Sequence, residues 1–199
     1  MFENYQTNHF FDEMFSSSGS TAFPHYSEIK KVIESLSSDS FREKQRQTDS
    51  AFLEQGVTFT VYGENDHGTE RIFPFDLIPR VIPANEWQHI EDGLTQRIIA
   101  LNLFLHDVYH EKKIIKDGII PEEVVKSAAH YCPHMEGFNV PRDIYMHICG
   151  SDLIRDGDGK YLVLEDNGRC PSGASYVLEN REAMKRAFPK LYQSLGVRP

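Results

Sequence analysis

Seven apolar residues, Trp87, Ile90, Leu94, Ile98, Leu101, Leu105 and Val108, recur at intervals of three or four. That spacing places them on one face of an α-helix about six turns long. A helix with one continuous apolar face has to bury it, so the chain is predicted to build a core around this element. The face reads as packing surface, not as a ligand site. With 40% of its residues hydrophobic, the chain has enough apolar side chains to fill that core.

The remaining segments predict short strands among further helices. "FFDEMF" loosens into a Ser/Gly stretch at 16–21, predicting an N-terminal arm and flexible link over 1–23 and a domain over 24–199. Tyr26, Ile29, Ile33 and Leu36 keep helical spacing, and a more polar helix is predicted at 40–54, stopping at Gly56. "GVTFTVYG" alternates as a strand does, "ENDHG" is a turn, and "RIFPFDLIPRVIP" returns as an extended segment. Pro74, Pro79 and Pro83 cannot donate to a ladder, so that segment is predicted to be an edge or irregular strand. After the long helix, "PEEVVKSA" predicts a short helix and 130–143 is turn-rich. Strands at 144–154 and 161–164 flank "RDGDGK", and a last helix at 175–195 is interrupted at Pro189. The class is α+β, with a mainly antiparallel sheet flanked by helices.

A formal net charge of −9 opposes non-specific binding to nucleic acid or anionic lipid, so neither is expected as a partner. It does not oppose a nucleotide held through a metal ion. Cys132, Cys149 and Cys170 are odd in number and form no CxxC pair, which predicts neither a disulfide framework nor a zinc site and points to the cytoplasm. No basic, apolar leader opens the chain, and no run of 18 apolar residues predicts a membrane helix.

The chemistry gathers in the second strand pair. "YLVLED" runs from apolar residues into Glu165, Asp166 and Asn167. With an even-numbered loop, residues 157–160 or 157–158, Asp152 shares a face with Glu165, and Asn167 follows by alternation. Leu153, Leu162 and Leu164 would then face a core. Two carboxylates and a carboxamide are hard oxygen donors, suited to Mg2+ or Mn2+. Acidic residues beside a hairpin also form solvated rims, and the pattern alone leaves both readings open. "DGDGKYLVLEDN" is not a calcium loop, because it ends in Asn167 rather than Glu. Pro133 between His130 and His134 argues against a helical metal pair, and Cys170 has no adjoining His to activate it.

Asp152, then Glu165-Asp166-Asn167, then a Pro-Ser-Gly turn resemble the ATP-grasp ligases. "FDEMF", "RIFPFDLIPR" and "LVLEDNGRCPSGASYVLENR" resemble, more narrowly, the circularly permuted ATP-grasp proteins, akin to the synthetase half of glutathionylspermidine synthetase. The resemblance covers nearly the whole chain. It implies an ATP-grasp-like lobe that joins a carboxylate to an amine through an acyl-phosphate, with ATP as co-substrate and Mg2+ or Mn2+ as cofactor. By the same resemblance Asp152 would ligate one metal ion, Glu165 would bridge two, and Asn167 would complete the second. Arg169 would stabilise phosphoryl charge, and Ser172 and Gly173 would offer backbone N–H groups to substrate or phosphate. Asn180 and Arg181 also match the pattern, with a helix-surface role equally open.

Two departures bear on this expectation. Many ATP-grasp ligases carry an arginine two residues before the first metal-binding Asp, where this chain has Gly150. Family members also continue past "LYQSLGVRP", and the adenine pocket and phosphate-gripping lysines belong to that continuation. The chain is therefore expected to be a truncated lobe, half of an active site, inactive until a complementary C-terminal lobe joins it. A different class of function, a non-catalytic accessory or assembly protein that retains the lobe, remains the alternative, and so does a plain acidic domain without metal.

Overall fold

The computed structural model describes residues 2, 5–7, 10–16, 21–61 and 68–198. The Ser/Gly link at 17–20 and residues 64–67 of the predicted turn lie outside the described residues. The described chain forms two compact units. One comprises 1–83, 155–162 and 172–199; the other comprises 84–154 and 163–171.

In the first unit, α1 (Ser27–Ser35) follows a 3-10 turn at Pro24–Tyr26. α2 (Ser38–Gln55) begins two residues before the predicted start because Ser37 caps it, its hydroxyl accepting from the Ser40 N–H at 3.1 Å. It ends at Gly56, whose φ of 69° is the left-handed conformation a helix C-terminus uses. β1 (Thr58–Val61) and β2 (Thr69–Ile72) pair antiparallel, from Thr58 opposite Ile72 to Val61 opposite Thr69. The paired residues end at Ile72, the Phe73 N–H adds one more bond to the Val57 carbonyl at 3.1 Å, and 74–83 runs without a ladder, in keeping with its prolines. α6 (Gly173–Ala187) and α7 (Pro189–Ser194) are separated at Phe188, where Pro189 cannot continue the helix.

The core of this unit joins Met14 and Phe15 to Tyr26, Ile29, Ile33, Leu77, Met184, Phe188 and Leu191. The apolar spacing read at Ile29 and Ile33 thus marks the buried face of α1. Tyr26 is fully enclosed but keeps its hydroxyl satisfied, accepting from the Val81 N–H at 2.8 Å.

In the second unit, α3 (Ala84–Tyr109) is the long helix. Ile90 and Val108 are buried, and Leu94, Ile98, Leu101 and Leu105 are half-buried, so the predicted stripe is the inward face. Trp87 departs from it and is exposed. α4 (Lys113–Lys116) and α5 (Glu122–Lys126) are single turns. Asp107 accepts from the N–H groups of Lys113 and Ile114, each at 2.9 Å, and these bonds tie α4 to the end of α3. Tyr109 stacks with Tyr131 and Tyr145.

β3 (Gly150–Arg155) and β4 (Tyr161–Asn167) pair with each other. β3 starts six residues later than the sequence predicts. Asn102 of α3 explains part of the delay: its side-chain oxygen accepts from the N–H groups of Tyr145 and Met146 at 2.8 and 3.2 Å, taking donors that a ladder would have used. No described helix is long and apolar enough to cross a membrane.

Candidate functional site

The hairpin loop corrects the predicted register. Asp156 N–H donates to the Lys160 carbonyl, and Gly159 N–H donates back to the Asp156 carbonyl, both at 3.0 Å. The loop is therefore residues 157–159, an odd number. Gly159, at φ 82°, takes the left-handed position that a three-residue turn demands. The Asp156 carboxylate fixes the turn further by accepting from the Asp158 and Lys160 N–H groups.

An odd loop reverses parity. Counted outward from Asp156 and Lys160, Asp152 would lie opposite Leu164, and Glu165 would point to the other face. The exposure pattern shows how the strand recovers. Asp152 and Ile154 in β3 and Leu162 and Leu164 in β4 are exposed, while Ser151, Leu153, Tyr161 and Val163 are half-buried. At Leu164 and Glu165 two exposed residues follow in succession, and Asp166 returns to the half-buried side to meet Ser151. The alternation slips by one residue there, as it does at a β-bulge. Glu165 thereby takes the exposed face of Leu164 and Asp152. The expectation that Leu162 and Leu164 face a core is wrong: they are 46% and 67% exposed.

Glu165 and Asn167 meet directly, the Asn167 carboxamide donating to Glu165 Oε1 at 3.2 Å. Asp166 between them points away. Its Oδ1 accepts from Ser151 Oγ at 2.7 Å and its Oδ2 from Arg97 Nε at 2.6 Å. Burial opposes its charge, but the bonds from Ser151 and Arg97 outweigh that and hold its carboxyl below the usual range. Neither Arg97 nor Ser151 carries any motif, and only the contact across the fold identifies them. Among the described residues no group of three or more His, Cys, Asp or Glu side chains is placed to hold a metal ion. The candidate set differs in kind, with two carboxylates and one carboxamide.

The other predicted residues spread along the chain after β4. Arg169 is exposed, with Nη1 3.4 Å from His130 Nδ1. Gly150 has no room for a side chain: a Cβ there would stand 2.7 Å from the Cβ of Pro171. In the first unit, Ser172 precedes α6, its carbonyl accepting from the Ser175 hydroxyl, and Gly173 is the first residue of that helix. Arg181 donates to the Arg198 carbonyl at 3.0 Å, and Asn180 Oδ1 is buried without a hydrogen-bond partner among the described residues. A shallow depression beside Thr58, Tyr176 and Glu179 holds none of the predicted site residues.

A family model described as circularly permuted ATP-grasp type 2 matches residues 79–199. An uncharacterized protein of Synechocystis sp. is 44% identical over 197 residues, covering 99% of this chain and 40% of that protein. An uncharacterized protein of Mycobacterium leprae is 41% identical over 188 residues, covering 94% of this chain and 32% of that one. A Frankia alni protein named "Putative glutamate–cysteine ligase 2-3" is 38% identical over 189 residues, covering 94% of this chain and 21% of that protein. The chain spans less than half the length of these curated relatives.

Proposed function

The chain belongs to the circularly permuted ATP-grasp type 2 family, and on that premise we propose that it supplies the metal-binding side of an ATP-dependent carboxylate–amine ligase. The observation that carries the reading is the contact between exposed Glu165 and half-buried Asn167 at the end of β4, on the face that Asp152 also occupies. Their donor set fits Mg2+ or Mn2+: every donor is a hard oxygen, and the site is open enough to admit water and phosphate. A divalent ion held there would neutralise phosphate charge on ATP.

The chain's own residues have distinct tasks in this reading. Asp152, Glu165 and Asn167 hold and orient the ion. Arg169, beyond β4, meets the charge that accumulates on the transferred phosphoryl group and on the acyl-phosphate. Ser172 and Gly173, with Asn180 and Arg181 further along α6, contribute to substrate or phosphate binding. The carboxylate attacks the γ-phosphorus of ATP and expels ADP. The amine then displaces phosphate from the acyl-phosphate, forming the amide. Gripping of the nucleotide is assigned to sequence equivalent to the rest of the relatives' length, as a complementary lobe.

The test supplies this chain with the remaining portion of the Synechocystis relative, in trans or as a fusion. Amine-dependent phosphate release from ATP is then measured. Glutamate and cysteine, the pair in the Frankia relative's name, are the first substrates to try. Glu165→Gln should abolish the release, because it removes charge while keeping shape. Equal turnover by Glu165→Gln would make the accessory-protein reading the better one.

A further inference from the structure

Asp166 sits between two proposed ligands yet is committed elsewhere. Both of its carboxylate oxygens are engaged, one by Ser151 of β3 and the other by Arg97 of α3, and its side chain is only 11% exposed. It is therefore unsuited to be a metal ligand, although it is the central acid of the motif. We infer that Arg97 and Asp166 are positioning residues, which aim Glu165 and Asn167 at the ion from the back of the strand. This inference rests on the metal reading of those two residues.

The argument is geometric. Neighbours along a strand project to opposite faces, so anchoring the middle residue on one side fixes the directions of both flanking residues on the other. The anchor is needed at this point in particular. The slip in alternation at Leu164 and Glu165 removes the regular ladder that would otherwise define where β4 points. Arg97 replaces that definition from a 26-residue helix, a rigid element outside the hairpin. Ser151 ties the same carboxylate to β3, the strand that carries Asp152. One side chain thus couples the elements bearing all three proposed ligands. Groups that orient metal ligands in this way influence affinity about 10–100-fold when removed.

Mn2+ binding to the chain, followed by the electron paramagnetic resonance of the free ion, tests this. The measurement runs well below the melting temperature of each variant and requires no turnover. Arg97→Gln and Asp166→Asn should each weaken binding by about 10–100-fold. The double variant should bind no more weakly than the worse single one, because the two act as a unit. Arg97→Lys keeps the charge and should restore most of the affinity. Ser151→Ala leaves every charge in place and should give a smaller loss, about five-fold, because Arg97 still holds the carboxylate. A merely structural pair would lower the melting temperature and leave Mn2+ affinity unchanged. Affinity within two-fold of the parent in Arg97→Gln, Asp166→Asn and Ser151→Ala, with Glu165→Gln abolishing binding, overturns this inference and leaves the metal reading standing. Unchanged binding in Glu165→Gln overturns the metal reading beneath it.

Discussion

A Cβ atom on Gly150 would lie 2.7 Å from the Cβ of Pro171, closer than two carbons can stand. The strand that carries Asp152 therefore begins at a position where only glycine fits. Pro171 is ring-locked and cannot swing aside. Gly150→Ala should cost about 1–3 kcal/mol of stability through overpacking, and Gly150→Arg more, as read by denaturant unfolding. Gly168→Ala should cost less. Its nearest neighbour, at 2.7 Å, is the sulfur of Met146, the far part of a flexible side chain. If Gly150→Ala unfolds at the parent's denaturant midpoint, this packing account is wrong. The same contact bears on the arginine that many ATP-grasp ligases carry at this position: the present backbone has no space for it.

The helices were legible in the sequence because their signals are local. Ile29 and Ile33 mark the buried side of α1, Gly56 marks the end of α2, and the stripe from Ile90 to Val108 marks the inward face of α3. The end of β4 was not: the strand runs through Asn167, three residues past the predicted end at Leu164, because the polar run at 165–167 still pairs with β3. The hairpin's phase was not legible either. It depends on a three-residue turn that "RDGDGK" permits but does not impose, and on a slip at Leu164 and Glu165 that follows from Asp166 reaching back to Ser151. The late start of β3 and the anchoring of Asp166 depend on Asn102 and Arg97, which are distant in sequence. Long-range hydrogen bonds of that kind leave no periodicity to read.

Asn102 should therefore matter more than its half-buried, polar position suggests. Its one carbonyl oxygen serves two backbone N–H groups. Asn102→Ala leaves both without that partner and should destabilise the protein by about 1–3 kcal/mol. Amide hydrogen exchange at Tyr145 and Met146 should accelerate more than at Ile29 or Ile33. Equal protection at both amides in the variant would show that the capture is incidental.

Tyr26 makes stability depend on alkaline pH. Burial pushes its hydroxyl from the ordinary value of 10.0 up to about 12, with the Val81 N–H acting in the opposite sense. The folded state thus favours the neutral phenol, so the unfolded state loses its proton first. The stabilisation is fully present below pH 10 and is lost as pH rises through about 12. Chemical unfolding at stepped pH should show stability falling across that window. Tyr26→Phe should flatten the fall while costing about 1 kcal/mol at neutral pH for the lost hydrogen bond. An equally steep alkaline loss in Tyr26→Phe would assign the effect to other groups.

Substituting Arg169 tests the proposed charge stabilisation apart from the proposed metal binding. Its side chain is exposed and approaches His130 only loosely, at 3.4 Å, so it is free to reorient toward a phosphate. Phosphoryl transfer depends chiefly on positioning and on charge placed where negative charge grows. A guanidinium acting there should matter in the transition state and little in the binding of the ion. Arg169→Ala in the completed protein should slow amine-dependent phosphate release by about 10²–10³-fold, the scale of losing one such donor. Mn2+ affinity should stay within about two-fold, in contrast to the loss expected for a changed ligand. Arg169→Lys should fall between, because a lysine keeps the charge but not the planar fork. His130→Ala should leave the rate unchanged. Were Arg169→Ala to weaken Mn2+ binding while leaving the maximal rate intact, the residue would belong to the support of the site and not to the chemistry.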